Sequence, residues 1–207
     1  MKIIEPFHVL EHEINGEEIL ARIEKAGRTC YKSEDAITAD SGRAFVAKMI
    51  KMGHESVIEH FSLSVRFICD RGVSHELVRH RLASFSQEST RYCNYGKADE
   101  ITVIRPPFWD EFVSASYMAW CKAMANAERA YLDLIGRGAS PQEARSVLPN
   151  SLKTEVVMTA NLREWRTIFK QRTAKAAHPQ MRQIMIPFLR ELQEKLPVVF
   201  DDIQVNE

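Results

Sequence analysis

Apolar residues recur with two different periods along this chain, and the changes of period predict its elements. Residues 3–10 alternate loosely, which predicts a strand bent near Pro6. Ile19, Leu20, Ile23 and Ala26 then share one helical face of residues 17–27, and Gly27 is placed to stop that helix. Phe45, Val46, Met49 and Ile50 repeat the arrangement over 41–53. From Phe61 to Cys69 the period falls to two. Phe61, Leu63, Val65, Phe67 and Cys69 share one face, the pattern of a strand buried on one side. Asp70, Arg71 and Gly72 make a turn, and a helix is predicted from Val73 to Arg81 with Ser74 near its N-cap.

Residues 101–104 predict a short strand closed by Pro106 and Pro107. Helical spacing then runs from Trp109 to Gly136 through Phe112, Val113, Tyr117, Trp120, Met124, Ala127, Tyr131, Leu132 and Ile135. A helix this long in a chain this short suits packing against another subunit. The GRGAS segment around Gly136 and Gly138 follows a helix rather than a strand, so it ends one helix and Ser140–Pro141 start the next; it is not a dinucleotide turn. Residues 152–159 fit a strand or a continued helix. Leu162, Trp165, Ile168 and Phe169 mark another helix, and Met181, Ile184, Met185, Phe188, Leu189 and Leu192 mark a closing one over 179–196. After Pro197 a short strand or a frayed end is expected.

A chain of 207 residues can bury one sizeable core, so a single domain is expected. Its 28 basic and 28 acidic residues cancel, which disfavours a broad basic surface for nucleic acid and leaves room for a local basic pocket. Cys30, Cys69, Cys93 and Cys121 form no C-x-x-C pair and read as reduced thiols. The opening MKIIEPFHVL lacks the pattern of a signal peptide, and no apolar run approaches the roughly 20 residues that span a bilayer. A soluble cytoplasmic protein without a membrane partner is expected.

Chemistry concentrates in RHRLASFSQESTRY, Arg79 to Tyr92, which packs three arginines, one histidine and four serine or threonine hydroxyls into one stretch. Guanidinium forks suit phosphate and carboxylate, and hydroxyls add short hydrogen bonds to the same oxygens. Only Glu76 and Glu88 stand near these bases, so the stretch reads as an anion receptor rather than a mixed-charge solvated face. Two metal readings fail. GHESVIEH brings His54, Glu55, Glu59 and His60 together without the tight ligand pairs of a zinc site. HELVRH imitates a zincin helix, but His75 and His80 are five residues apart, about 140° around a helix, and cannot share one metal from one face.

Read as R-H-R-x-x-S-x-x-x-x-S-x-R, with Arg79, His80, Arg81, Ser84, Ser89 and Arg91 at the fixed positions, the stretch resembles the signature of flavin-dependent thymidylate synthases. Further segments resemble the same family. HESVIEH matches its H-E-[ST]-x-x-E-H segment, and NLREWRTIFKQR matches N-x-R-x-x-x-x-F-x-x-R. The resemblance runs in order from His54 to His178. It implies an α+β fold of helices packed around an antiparallel sheet, a homotetramer with active sites shared between subunits, and methylation of dUMP to dTMP. The carbon would come from methylenetetrahydrofolate and the hydride from FAD reduced by NADPH.

The resemblance also distributes roles. Arg79, His80, Arg81 and Gln87 would address the flavin, joined by His54 and Ser56 upstream and by Asn161, Arg163, Thr167 and His178 downstream. Glu76, Leu77, Val78 and Arg79 would meet the nucleotide, as would Gln87, Glu88, Ser89, Thr90, Arg91 and Arg145. Arg172 would lie against the uracil carbonyl edge as the catalytic residue, where a fixed positive charge favours an electron-rich ring and a more nucleophilic carbon 5. Three positions depart from the common pattern: Glu76 stands where some members carry glutamine, Gln87 where others carry glutamate, and Thr167 where asparagine or histidine is frequent. All the implied ligands are anions, and the chain has neither a P-loop nor a G-x-G-x-x-G turn, so side chains must hold the phosphates. Reduced flavin delivers hydride without a protein nucleophile, so Ser89 reads as a hydrogen-bonding ligand. The competing readings are a non-catalytic module that grips RNA phosphates with the same arginines, and a flavin- and folate-dependent methyltransferase of RNA uridine. Neutral overall charge and short length count against both.

Overall fold

The computed structural model describes residues 1–109 and 114–205, so the expected helical positions Phe112 and Val113 lie outside the described residues. The chain divides into two compact units. One comprises Met1–Phe7, Phe67–Arg79 and Phe85–Val157; the other comprises His8–Arg66, His80–Ser84 and Met158–Glu207. The fold mixes helix and sheet.

Six strands are formed among the described residues. β1 (Lys2–Ile4) and β5 (Thr102–Ile104) make a parallel pair, with Ile3 opposite Val103. β2 (Phe7–Leu10), β3 (Ser62–Asp70), β6 (Lys153–Asn161) and β4 (Ala83–Gln87) form a four-stranded sheet in the order β2-β3-β6-β4. The expected bent strand at the start is therefore two strands in two different sheets. Pro6 has no N–H to continue a ladder, and the chain changes partner there. β3 and β6 run antiparallel: Leu162 N donates to Phe61 O at 3.0 Å and Ser64 Oγ meets Thr159 Oγ1 at 2.7 Å, so numbers rise on one strand as they fall on the other. The segment left open as strand or helix is a strand, with Thr154, Val156, Met158 and Ala160 buried and the residues between them half-buried.

In the first unit, α3 (Arg71–Leu77) starts where the Asp70 carboxylate accepts from Val73 N at 2.7 Å. Asp70 is thus the N-cap, and Ser74 lies inside the helix with its Oγ donating to Arg71 O at 2.9 Å. The helix ends at Leu77, short of the expected Arg81, and the chain goes on to form β4. α4 (Ala115–Gly136) is capped by Ser114 and buries Tyr117, Met124 and Tyr131, a narrow seam at seven-residue spacing. Met124 and Tyr131 pack with Ile101, Val103, Ala144 and Leu152. α5 (Pro141–Ala144) follows a capping box in which Ser140 N and Oγ both donate to Glu143.

In the second unit, α1 (Gly16–Arg28) and α2 (Ser41–Lys51) pack closely. Gly27 does not stop α1. It is buried inside the helix, where an added Cβ would stand 2.7 Å from the Phe45 ring, so close approach rather than chain termination explains the glycine. α6 (Leu162–Arg172) and α7 (Pro179–Lys195) bury the expected stripes, and Trp165, Phe169, Phe188 and Phe200 meet ring to ring at centroid distances of 5.2–5.9 Å. Each such fully buried side chain contributes about 1.5–3 kcal/mol. The tail forms α8 (Pro197–Phe200), not a strand, because Val199 and Phe200 turn into this aromatic core. Among the described residues no helix is long and apolar enough to cross a membrane.

Candidate active site

β6 and α6 meet at Asn161, whose Oδ1 accepts from Glu164 N at 2.8 Å and satisfies one of the orphan amides of the helix start. Because α6 buries Leu162, Trp165, Ile168 and Phe169, the positions four apart on its other side, Arg163 and Thr167, come to the surface together. They open onto a cleft of about 560 Å³ that also takes in Glu59, Leu82, Asn161 and Glu164. A second cleft of about 390 Å³, lined among others by Arg81, Ser84 and Thr159, shares Glu59, Leu82 and Asn161 with the first. Four residues with an expected flavin role, Arg81, Asn161, Arg163 and Thr167, are thereby gathered along one continuous groove.

The groove is not uniformly positive. Arg163 Nη1 donates to Glu59 Oε1 at 2.5 Å and its Nε lies 3.9 Å from Glu55, and the hydrogen bond to Glu59 leads in holding its pKa up. Glu55 also accepts from Arg166 Nη2 at 3.2 Å, so both carboxylates of the HESVIEH segment are engaged by arginines. Arg81 is exposed and has no hydrogen bond or ion pair among the described residues. It lines the groove as a cation without an acidic partner among the described residues.

Deeper in the same unit, Arg172 Nε donates to His80 Nε2 at 2.9 Å. That contact places the imidazole proton on Nδ1, which lies 3.7 Å from Glu164 Oε1. His80 is 6% exposed. Burial first, and the Arg172 charge second, push its pKa down to about 4, so the imidazole is neutral at pH 7 and its approach to Glu164 is not an ion pair. Burial also raises the Glu164 carboxyl above its ordinary range.

The rest of the arginine-rich stretch lies in the first unit. Gln87 Nε2 donates to Ser74 Oγ at 2.9 Å and to Thr154 Oγ1 at 3.2 Å, which fixes the end of β4. Ser89 closes the following turn: Tyr92 N and Cys93 N donate to its carbonyl at 3.1 and 2.9 Å, and Arg91 N donates to its Oγ at 3.3 Å. Arg145 Nη1 donates to Thr90 Oγ1 at 3.5 Å, and the Arg91 guanidinium stands 5.4 Å from the Tyr92 ring centre. Arg79, Arg91 and Arg145 are all exposed, and none has an ion pair among the described residues. Glu76 is half-buried, Leu77 is fully buried and offers only its backbone, and Val78 is exposed.

Three expected flavin residues sit elsewhere in the second unit. His54 lines a separate, largely apolar cleft of about 520 Å³ with Arg28, Tyr31, Phe45 and Lys48. Ser56 is exposed on the short 3-10 helix Glu55–His60, and His178 is the N-cap of α7. Sequence reasoning named Glu59 within HESVIEH but gave it no role in the groove, and missed Glu164 there and Lys153 and Tyr95 beside Glu88. The alternation along β6 carried a signal for Lys153, since it sets Lys153 and Glu155 two residues apart on the same half-buried face.

Residues 9–198 match the family described as thymidylate synthase complementing protein. The flavin-dependent thymidylate synthase of Corynebacterium aurimucosum is 33% identical over 205 residues, covering 90% of this chain and 80% of that protein. The protein of the same name from Mycobacterium tuberculosis is 34% identical over 203 residues, again covering 90% and 80%. The crystal structure of the UMP/dUMP methylase PolB from Streptomyces cacaoi, bound with 5-Br dUMP, shares the fold with a TM-score of 0.77 at 22% identity, over 97% of this chain and 96% of that one. A match that spans nearly the whole chain, over the segments that build the groove and the arginine-rich turn, makes this chain a member of the thymidylate synthase complementing protein family.

Proposed function

We propose that this protein methylates dUMP to dTMP, taking the carbon from methylenetetrahydrofolate and the hydride from FAD reduced by NADPH, and that it works in the cytoplasm as a homotetramer with shared active sites. Family membership and the names of the relatives support the reaction. The tetramer is supported by α4, whose 22 residues bury only a narrow seam and leave Met118 66% exposed. The family match over residues 9–198 supports one functional domain.

The observation that carries the reading is the set of arginines without acidic partners: Arg81 beside the groove in one unit, and in the other Arg79 just after α3 and Arg91 and Arg145 at the Ser89–Thr90 turn. A chain without a phosphate-binding glycine turn needs such side chains for anionic ligands. The groove fits a flavin dinucleotide in donor chemistry: Arg81 is uncommitted, Ser84 brings a hydroxyl, and Asn161 spends its carbonyl on the helix cap and keeps its amide donors. FAD, once bound and reduced, supplies the hydride that turns the transferred one-carbon unit into a methyl group. Arg172 supplies fixed positive charge toward an electron-rich uracil ring, and neutral His80 orients that guanidinium without competing for its charge. Ser89, Thr90, Arg91 and Arg145 hold and orient the nucleotide.

The test is the visible absorption spectrum of the purified protein under anaerobic conditions. A flavin band that bleaches with NADPH and returns only when both dUMP and methylenetetrahydrofolate are added is the expected result. A colourless protein that neither takes up FAD nor forms dTMP would overturn the reading and favour an RNA-phosphate module.

A further inference from the structure

Glu88 is the one acid in the stretch from Arg79 to Tyr92, and it directly precedes Ser89. A bare carboxylate there would repel the phosphate of an anionic substrate. Both of its oxygens are occupied. Tyr95 Oη donates to Glu88 Oε1 at 2.9 Å and Lys153 Nζ to Oε2 at 3.0 Å, and Lys153 reaches on to Glu155 Oε1 at 2.6 Å. The backbone repeats the link, because Glu88 N donates to Glu155 O at 2.9 Å. Tyr95 is itself fixed by its N–H to Tyr131 Oη at 3.3 Å and by ring contact at 5.8 Å between centroids. The Glu88 and Lys153 side chains are only 17% and 20% exposed, so salt screens their attraction weakly. Burial opposes the charge on Lys153, but its hydrogen bonds to Glu155 and Glu88 outweigh it and raise its pKa; burial and the Glu88 charge together keep the Tyr95 phenol protonated.

We propose that Lys153 is a charge-compensating, positioning residue of the nucleotide site: with Tyr95 it turns Glu88 from a bare, repulsive acid into a charge-paired strut, so that Ser89, Thr90, Arg91 and Arg145 receive the 5′-phosphate of a pyrimidine nucleoside monophosphate. The inference rests on the reading of this segment as the dUMP site. Glu88, which the family resemblance implied would meet the nucleotide, then acts through its neighbours rather than by touching the substrate, because both its carboxylate oxygens are engaged. The requirement is electrostatic, so removing the acid repairs the loss of the base.

The full-length protein is titrated calorimetrically with dUMP, as wild type and as Lys153→Met, Lys153→Arg, Glu88→Gln and the Glu88→Gln/Lys153→Met double variant. Lys153→Met is expected to weaken dUMP binding about tenfold, the scale of one unbalanced charge near the ligand, and to raise the KM for dUMP far more than it lowers kcat. Lys153→Arg should keep near-wild-type affinity, and the double variant should return to within about twofold of wild type. Unchanged affinity in Lys153→Met, or a loss that persists in the double variant, would overturn the proposal. Should Lys153→Met not fold, Glu88→Gln decides: affinity equal to or tighter than wild type supports the proposal and weaker affinity refutes it. A wild-type protein that binds no dUMP would instead overturn the functional reading before any variant is compared.

Discussion

Replacing His80 with glutamine isolates the proton chemistry of the buried pair. The amide oxygen of His80→Gln can accept from Arg172 Nε as His80 Nε2 does at 2.9 Å, but it cannot titrate. In the folded protein the imidazole resists protonation down to about pH 4, against 6.5 for the ordinary side chain. Between those values the unfolded chain binds more protons than the folded one, so stability falls as pH drops through the window and is intact above about pH 7. At about 1.4 kcal/mol per pH unit, the wild type should lose about 2–3 kcal/mol more than His80→Gln between pH 7.5 and 4.5. Urea unfolding followed by tryptophan fluorescence at half-unit pH steps measures both proteins, and titrating groups away from His80 cancel in the difference. Parallel stability curves for the two proteins would show that burial and Arg172 do not hold the imidazole neutral.

Substitutions at two further residues separate structural from functional roles. Arg166 is 2% exposed and bridges Asp202, at 2.6 Å through both terminal nitrogens, to Glu55 and the Val199 carbonyl. Arg166→Met should cost about 3–5 kcal/mol in chemical denaturation by stranding these acceptors, and NMR titration should show the Asp202 carboxyl rising from its depressed pKa toward the ordinary range. Asn161→Ala should lose about 1 kcal/mol of stability with its cap, whereas Asn161→Asp keeps the cap; both should bind FAD more weakly in fluorescence titrations, and an Asn161→Asp protein with wild-type FAD affinity would remove the amide from the flavin site.

Where one element's own period decides its burial, the sequence was sufficient. The stripes of α6 and α7 and the inward face of β3 lie where their spacing put them, because each face meets an apolar neighbour whatever that neighbour is. Errors arose where a partner distant in sequence made the choice. Gly27 reads as a stop signal until Phe45 is seen against it, and Ser74 reads as a cap until the Asp70 carboxylate is seen to take Val73 N. β4 was legible in principle, since Ala83, Phe85 and Gln87 alternate with exposed Ser84 and Ser86, but the arginine pattern overlapping it drew a helix across the turn. In the candidate site, residue types announced anion binding while pairings stayed hidden. His80 and Arg172 are separated by 92 positions and Glu88 and Lys153 by 65, and no local rule couples them.

The two-residue repeat of β6 also sets how this chain can change length. Lys153, Glu155, Val157, Thr159 and Asn161 point one way and Thr154, Val156, Met158 and Ala160 the other. Inserting or deleting one residue within the strand would exchange the two sets on one side of the edit. It would drive either Lys153 and Glu155, or Thr159 and Asn161, into the space now filled by apolar side chains. Viable length changes within this strand should therefore come in pairs, and loops, where no such parity holds, should absorb the single ones.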